Sequence, residues 1–154
     1  MESFKPSSPV APLSKASESP QAGVHRAIIL VVERDPQVRE LEAYFLDEAG
    51  FAVEFAADGV AALELARELR PHIVITEVLV PKLDGLALTR AIKADPALRG
   101  TVVLVFSILA VQGRAAEAGA DAFLMKPLAE RRLVDTVRAL LARRMKLVSG
   151  EKSL

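Results

Sequence analysis

Four side chains able to do chemistry sit at matching places in this chain: Glu33, Glu77, Ser107 and Lys126 each end or follow a short apolar run. Glu77 is the central one. It lies just beyond Ile73, Val74 and Ile75, a β-branched run of the kind buried on both faces of a sheet. Pro81 then ends any regular ladder. A carboxylate at the carboxyl end of a central strand stands where open α/β sheets place their sites. Arg34 and Asp35 follow Glu33 directly, so carboxylates, a guanidinium, a hydroxyl and an ammonium are all at hand. Each alone reads as a solvated side chain, and their recurrence at successive run ends is the signal.

For these groups to meet, the runs must be parallel strands. Residues 28–32 have strand length, and Asp35-Pro36 then suits the cap and first turn of a helix. That helix is expected to turn Val38, Leu41, Phe45 and Ala49 inward, with Glu40, Glu42, Asp47 and Glu48 mostly outward, and to stop at Gly50. Residues 51–56 read as a shorter, more polar edge strand. Asp58 begins a helix with Ala62, Leu65, Ala66 and Leu69 inward, ended by Pro71. After the Glu77 strand, Asp84-Gly85 turns into a helix over about 85–94 that buries Leu88 and Ile92. A strand at 102–106 leads to Ser107, a short helix at about 111–118 to Gly119, and a strand at 120–124 to Lys126-Pro127. The last helix buries Leu133, Val134, Val137, Leu140 and Leu141, and its other face carries Arg131, Arg132, Arg138, Arg143 and Arg144. Strands alternating with helices predict a parallel sheet covered on both faces, with right-handed crossovers. The candidate residues then share one edge.

Composition bounds what that edge can serve. A chain of 154 residues has room for one domain, and its formal net charge of zero gives no general attraction to nucleic acid or anionic membrane. No stretch has the ~18–20 uncharged residues of a membrane span. The absence of cysteine excludes disulfides and thiolate metal sites and fits a cytoplasmic protein. Residues 1–24 interleave Pro6, Pro9, Pro12 and Pro20 with serines and read as a flexible tail without a secretory h-region. The domain is then 25–146, followed by a tail at 147–154. His25 and His72 are too isolated for a metal or relay site and read as solvated.

The segments ILVVERDPQVRELEAYFLDEAGF, PHIVITEVLVPKLDG, VVLVFS and AGADAFLMKP resemble the receiver domain of bacterial two-component response regulators. The resemblance runs from about residue 26 to 144 and implies a flavodoxin-like (βα)5 fold with strand order 2-1-3-4-5. It implies an acidic pair after the first strand that holds Mg²⁺, and an aspartate ending the third that accepts a phosphoryl group. A Thr or Ser and a Lys, at the positions of Ser107 and Lys126, would contact that group. Glu33 matches the first acidic residue, Phe123 the aromatic switch position, and Lys126-Pro127 a bond that is cis in typical members.

Three positions depart from that pattern. Glu77 replaces the phosphoaccepting aspartate, Arg34 the second acidic residue, and Ile108 the small residue after the Thr/Ser. The 107–119 segment is also short. Glu33 and Glu77 against Arg34 and Lys126 sum to zero charge, where a typical pocket is net negative and takes a divalent cation. A guanidinium offers no oxygen to the near-octahedral shell of Mg²⁺ but pairs well with a carboxylate. The expectation is that Arg34 takes the metal's place and holds Glu77, with no cofactor and no catalysis. The chain then reads as a stand-alone, phosphorylation-independent pseudo-receiver acting by protein contact, as a monomer or weak homodimer. Its expected partner surface is the fourth helix, fifth strand and fifth helix, with Arg131 and Arg138 displayed. The alternative is a single-domain regulator phosphorylated at an atypical acceptor. Phosphatase and flavodoxin readings of the fold fail, because ERDPQ has neither two aspartates two apart nor a hydroxyl- and glycine-rich phosphate loop.

Overall fold

The computed structural model describes residues 26–127 and 129–153, with side chains described as far as 146. The expectation for residues 1–24 lies outside the described residues. The elements are β1 (Ile28–Val32), α1 (Pro36–Glu48), β2 (Ala52–Ala56), α2 (Gly59–Leu69), β3 (Ile73–Thr76), α3 (Gly85–Ala94), β4 (Val102–Ser107), α4 (Gln112–Ala118), β5 (Ala122–Met125) and α5 (Glu130–Ser153), with a 3-10 turn at Pro96–Leu98. The strands form one parallel sheet of order β2-β1-β3-β4-β5. This is the flavodoxin-like order expected. Helix α5 continues to Ser153, through residues that read as a tail in the sequence.

Alternation within the strands builds a core on each face. Leu30, Val32, Val74, Val103 and Val105 face α2, α3 and α4, where Ala62, Ala66, Leu88 and Ile92 meet them. Ile29, Val31, Ile73, Ile75, Leu104 and Phe106 face α1 and α5, packing on Leu46, Leu133, Val137 and Leu140. Both sides of β1, β3 and β4 are therefore apolar, as central parallel strands must be.

Helix starts follow their caps. Asp35, Asp58 and Asp84 each accept backbone N–H bonds from the first turns of α1, α2 and α3. Helix α4 has no side-chain cap and is only seven residues long, the short helix anticipated. Gly85 is required for a different reason from its turn. A Cβ there would stand 2.2 Å from the Glu77 carbonyl oxygen, so α3 starts in direct backbone contact with the strand end it follows.

Two sequence expectations fail within this frame. In α1, Glu42 is buried and Leu41 exposed, the reverse of the expected facing. Glu42 is four residues from both Val38 and Leu46, so it sits on the inward stripe, and the helix turns Leu41 off it. His72 is not solvated: it is half-buried, and its Nδ1 accepts the Ile28 backbone N–H at 3.0 Å. Among the described residues no helix is long and apolar enough to cross a membrane.

Candidate functional site

The carboxyl edge of the sheet holds each candidate residue by its backbone. Glu33 N–H donates to the Ala56 carbonyl at 3.1 Å, Glu77 N–H to that of Val32 at 3.0 Å, and Lys126 N–H to that of Ser107 at 2.9 Å. Each bond extends a ladder by one residue. The side chains of Glu33, Glu77 and Ser107 are thereby brought together in burial, with Lys126 reaching in from the far strand.

Glu77 is saturated with donors. Its Oε2 accepts Val78 N–H at 2.7 Å, Leu79 N–H at 3.4 Å and the Ser107 hydroxyl. Its Oε1 accepts Ile108 N–H at 3.2 Å and Lys126 Nζ at 3.2 Å. Burial alone would raise its pKa. The Ser107 hydroxyl, the Lys126 ammonium and the Val78 N–H outweigh that and hold it below the usual carboxylate value.

Lys126 joins the acids. Besides Glu77 it contacts Glu33 Oε1, stands 3.6 Å from Glu42 Oε2, and lies 5.2 Å from the centre of the Phe106 ring. Burial works against its charge, but Glu33, Glu42 and Glu77 together push its pKa up. Glu33 is held further through Oε2, which accepts the Asp35 N–H at 3.0 Å, while Arg39 donates to its carbonyl.

Arg34 corrects the expected pairing. It is exposed and, among the described residues, makes no hydrogen bond or ion pair. Lys126 makes the ionic contact with Glu77 instead, because its long stem enters from β5 whereas Arg34 points out of the loop after β1. Ile108 contributes its backbone N–H, and its side chain is 58 % exposed rather than filling the pocket. Phe123 is half-buried against the α3–α4 side of the core. Arg131 is exposed at the start of α5. Arg138 is also a correction: its guanidinium reaches the Ala49 carbonyl at the end of α1, at 3.5 Å, so it lies on the α1 side of α5. Arg144 leaves the expected free basic face too, donating to the Gly100 carbonyl at 2.6 Å.

Glu42 was missed. Its pKa is raised to about 7, by burial first, with the Glu33 and Glu77 charges adding and Lys126 opposing. Its Oε2 has no hydrogen-bond partner. The spacing from Val38 and Leu46 was the available signal.

The pattern that describes the response regulator receiver domain matches residues 29–138 of this chain. The chain belongs to the receiver-domain family. Among curated relatives, the response regulator MprA of a Mycobacterium species (strain KMS) is 41% identical over 117 residues, which are 75% of this chain and 50% of that protein. The chain thus spans about half the length of such relatives. A response regulator from Chloroflexus aurantiacus superposes with a TM-score of 0.73 at 30% identity, covering 77% of this chain and 99% of that one. The receiver domain of the Pseudomonas aeruginosa sensor histidine kinase PA1611, described with a magnesium ion in its active-site cleft, has a TM-score of 0.71 at 26% identity, covering 77% and 99%.

The residues of this receiver do not fit that ion. The Lys126 ammonium is bonded to both strand-end carboxylates, Glu33 and Glu77, and also stands 3.6 Å from the Glu42 carboxylate of α1. The second acidic position is Arg34, which supplies no oxygen. A divalent cation would have to displace an ammonium that already has hydrogen bonds and charge compensation, and would gain one ligand fewer.

Proposed function

We propose that this receiver works without phosphorylation, as a protein-interaction module of two-component signalling held in one state by its own side chains. The observation that carries the reading is the donor set of Glu77. Ser107 and Lys126 stand at the positions that contact a bound phosphoryl group in the family, and both are bonded to the Glu77 carboxylate. Glutamate reaches one methylene further than aspartate, so the carboxylate meets these donors without any added group. The ammonium balances it, and the pocket has no vacancy in charge or hydrogen bonding at Glu77. Signalling then depends on presence or localisation of the module, not on a transferred phosphate.

The partner surface proposed is the side made by α4, β5 and the start of α5. Met125 is in register with Ser107, so exposed Met125 and Ile108 form an apolar rim there, with exposed Arg131 following at the start of α5. Apolar residues beside an arginine are the composition of interface centres.

The test is exposure of the full chain to Mg²⁺ with acetyl phosphate, and separately with beryllofluoride. No mass increment and no shift of the Glu77, Ser107 and Ile108 amide resonances are expected. Saturable, Mg²⁺-dependent shifts there would overturn the proposal and favour a phosphoryl switch with an atypical acceptor.

A further inference from the structure

Beside the Glu77 cluster lies a groove of about 350 Å³ between α1 and the start of α5. Leu41, Phe45, Phe106 and Leu133 make its apolar walls, Glu42 and Lys126 line it, and Glu130 stands at its exposed margin. Glu42 is only 7 % exposed, yet its Oε2 lacks a hydrogen-bond partner and sits 3.6 Å from Lys126, beyond hydrogen-bonding range. A buried carboxylate oxygen left in that condition is costly, and calls for a missing donor. The local charge says which kind. Glu33, Glu42, Glu77 and Glu130 against the Lys126 ammonium and the Arg39 guanidinium, which bonds the Glu33 carbonyl and lies over the Phe55 ring, leave a formal charge of −2. Burial first, and then the Glu33 and Glu77 charges, raise the pKa of Glu42 against the opposing Lys126 ammonium.

We infer that this groove is a binding site for a small organic ammonium ion, whose apolar body lies on Leu41, Phe45, Phe106 and Leu133 and whose N–H donates to Glu42. The size decides against a protein segment as occupant. A groove of this volume is at the lower end for a single small ligand, whereas stable protein contacts need upwards of ~1,000 Å² of surface. The charge decides against a carboxylate or phosphate ligand. The inference stands apart from the proposed function, since it uses the unsatisfied oxygen of Glu42 and not the saturated carboxylate of Glu77.

The experiment titrates the full chain at pH 8 with 3-phenylpropylamine, with its neutral isostere 3-phenylpropanol and with 4-phenylbutyrate, following amide resonances. Saturable shifts at Leu41, Phe45, Ile108 and Leu133 are expected, with the amine at least about tenfold tighter than the alcohol and the anion not bound. Glu42→Gln should bring amine and alcohol to within about twofold, while Glu40→Gln, an exposed neighbour on α1, should keep the preference. Should Glu42→Gln fold poorly, Leu41→Ser must weaken amine and alcohol alike and leave their ratio unchanged. Equal binding of amine and alcohol by the parent, no binding of either, or a preference that survives Glu42→Gln would each overturn the assignment.

Discussion

At the scale of single residues the acids around Lys126 split into two kinds, and pH separates them. Glu77 has its pKa depressed below the ordinary 4.5, so it stabilises the fold at neutral pH and loses that contribution as pH falls through its folded value. Glu42 has the opposite sign. Its folded pKa is about 7 against an ordinary 4.5, so its contribution is complete below about 4.5 and is lost as pH rises through about 7. Converted at 1.36 kcal/mol per unit, the loss has a ceiling of about 3 kcal/mol. Glu42→Gln should therefore be more stable than the parent at pH 8, approach it near pH 5, and flatten the fall between those values; urea denaturation across pH measures this. Lys126→Met removes the one ammonium among three buried acids and should cost about 3–5 kcal/mol at pH 8. Arg34→Ala, which touches none of them, should change stability by less than about 0.5 kcal/mol. A cost for Arg34→Ala comparable to that of Lys126→Met in the same denaturation assay would restore the guanidinium as the partner of Glu77.

At the scale of elements, the loop from β3 to α3 aims Glu77 and depends on Gly85. An alanine there would put its Cβ 2.2 Å from the Glu77 carbonyl oxygen and 2.9 Å from Val78 Cα, both backbone atoms that cannot step aside. Gly85→Ala should cost more than about 3 kcal/mol, at the large end for single substitutions, and should shift the Ser107 and Ile108 amide resonances together. Gly113, inside α4, meets nothing within 4 Å. Gly113→Ala should stabilise by roughly 0.4–1 kcal/mol through the unfolded state. The pair separates a glycine needed for close approach from one that merely weakens a short helix, and thermal unfolding reads both.

At the scale of the whole molecule, β1, β3 and β4 give alternate side chains to the two cores, so neither helical layer has an apolar support of its own. Leu104 faces the α1–α5 layer and its neighbour Val103 the α2–α4 layer. Leu104→Ala should lower stability by about 2–5 kcal/mol and leave a single transition, with amides of both layers losing hydrogen-exchange protection together. Loss of protection confined to α1 and α5 would show the layers to be separable.

The sequence by itself determined the strand order's ingredients and the edge at which the site lies. Buried parallel strands must be apolar on both faces, and carboxylates, hydroxyl and lysine at their ends have nowhere to go but the carboxyl edge. The residues of the cluster, Glu33, Glu77, Ser107 and Lys126, were legible for that reason, and the brevity of α4 was legible from the short segment before Gly119. Pairing within the cluster was not. Arg34 and Lys126 carry the same formal charge and both follow a strand at the same edge, yet only the stem from β5 crosses that edge to Glu77. Nor was the facing of Glu42 and Leu41. One position along a helix is a rotation of about 100°, and a carboxylate next to a leucine is ordinarily turned outward. Here the packing of α1 and the ammonium beneath it hold the carboxylate inside. Such choices depend on which charge lies across a gap of a few ångströms, and that distance exists only once the strands are side by side.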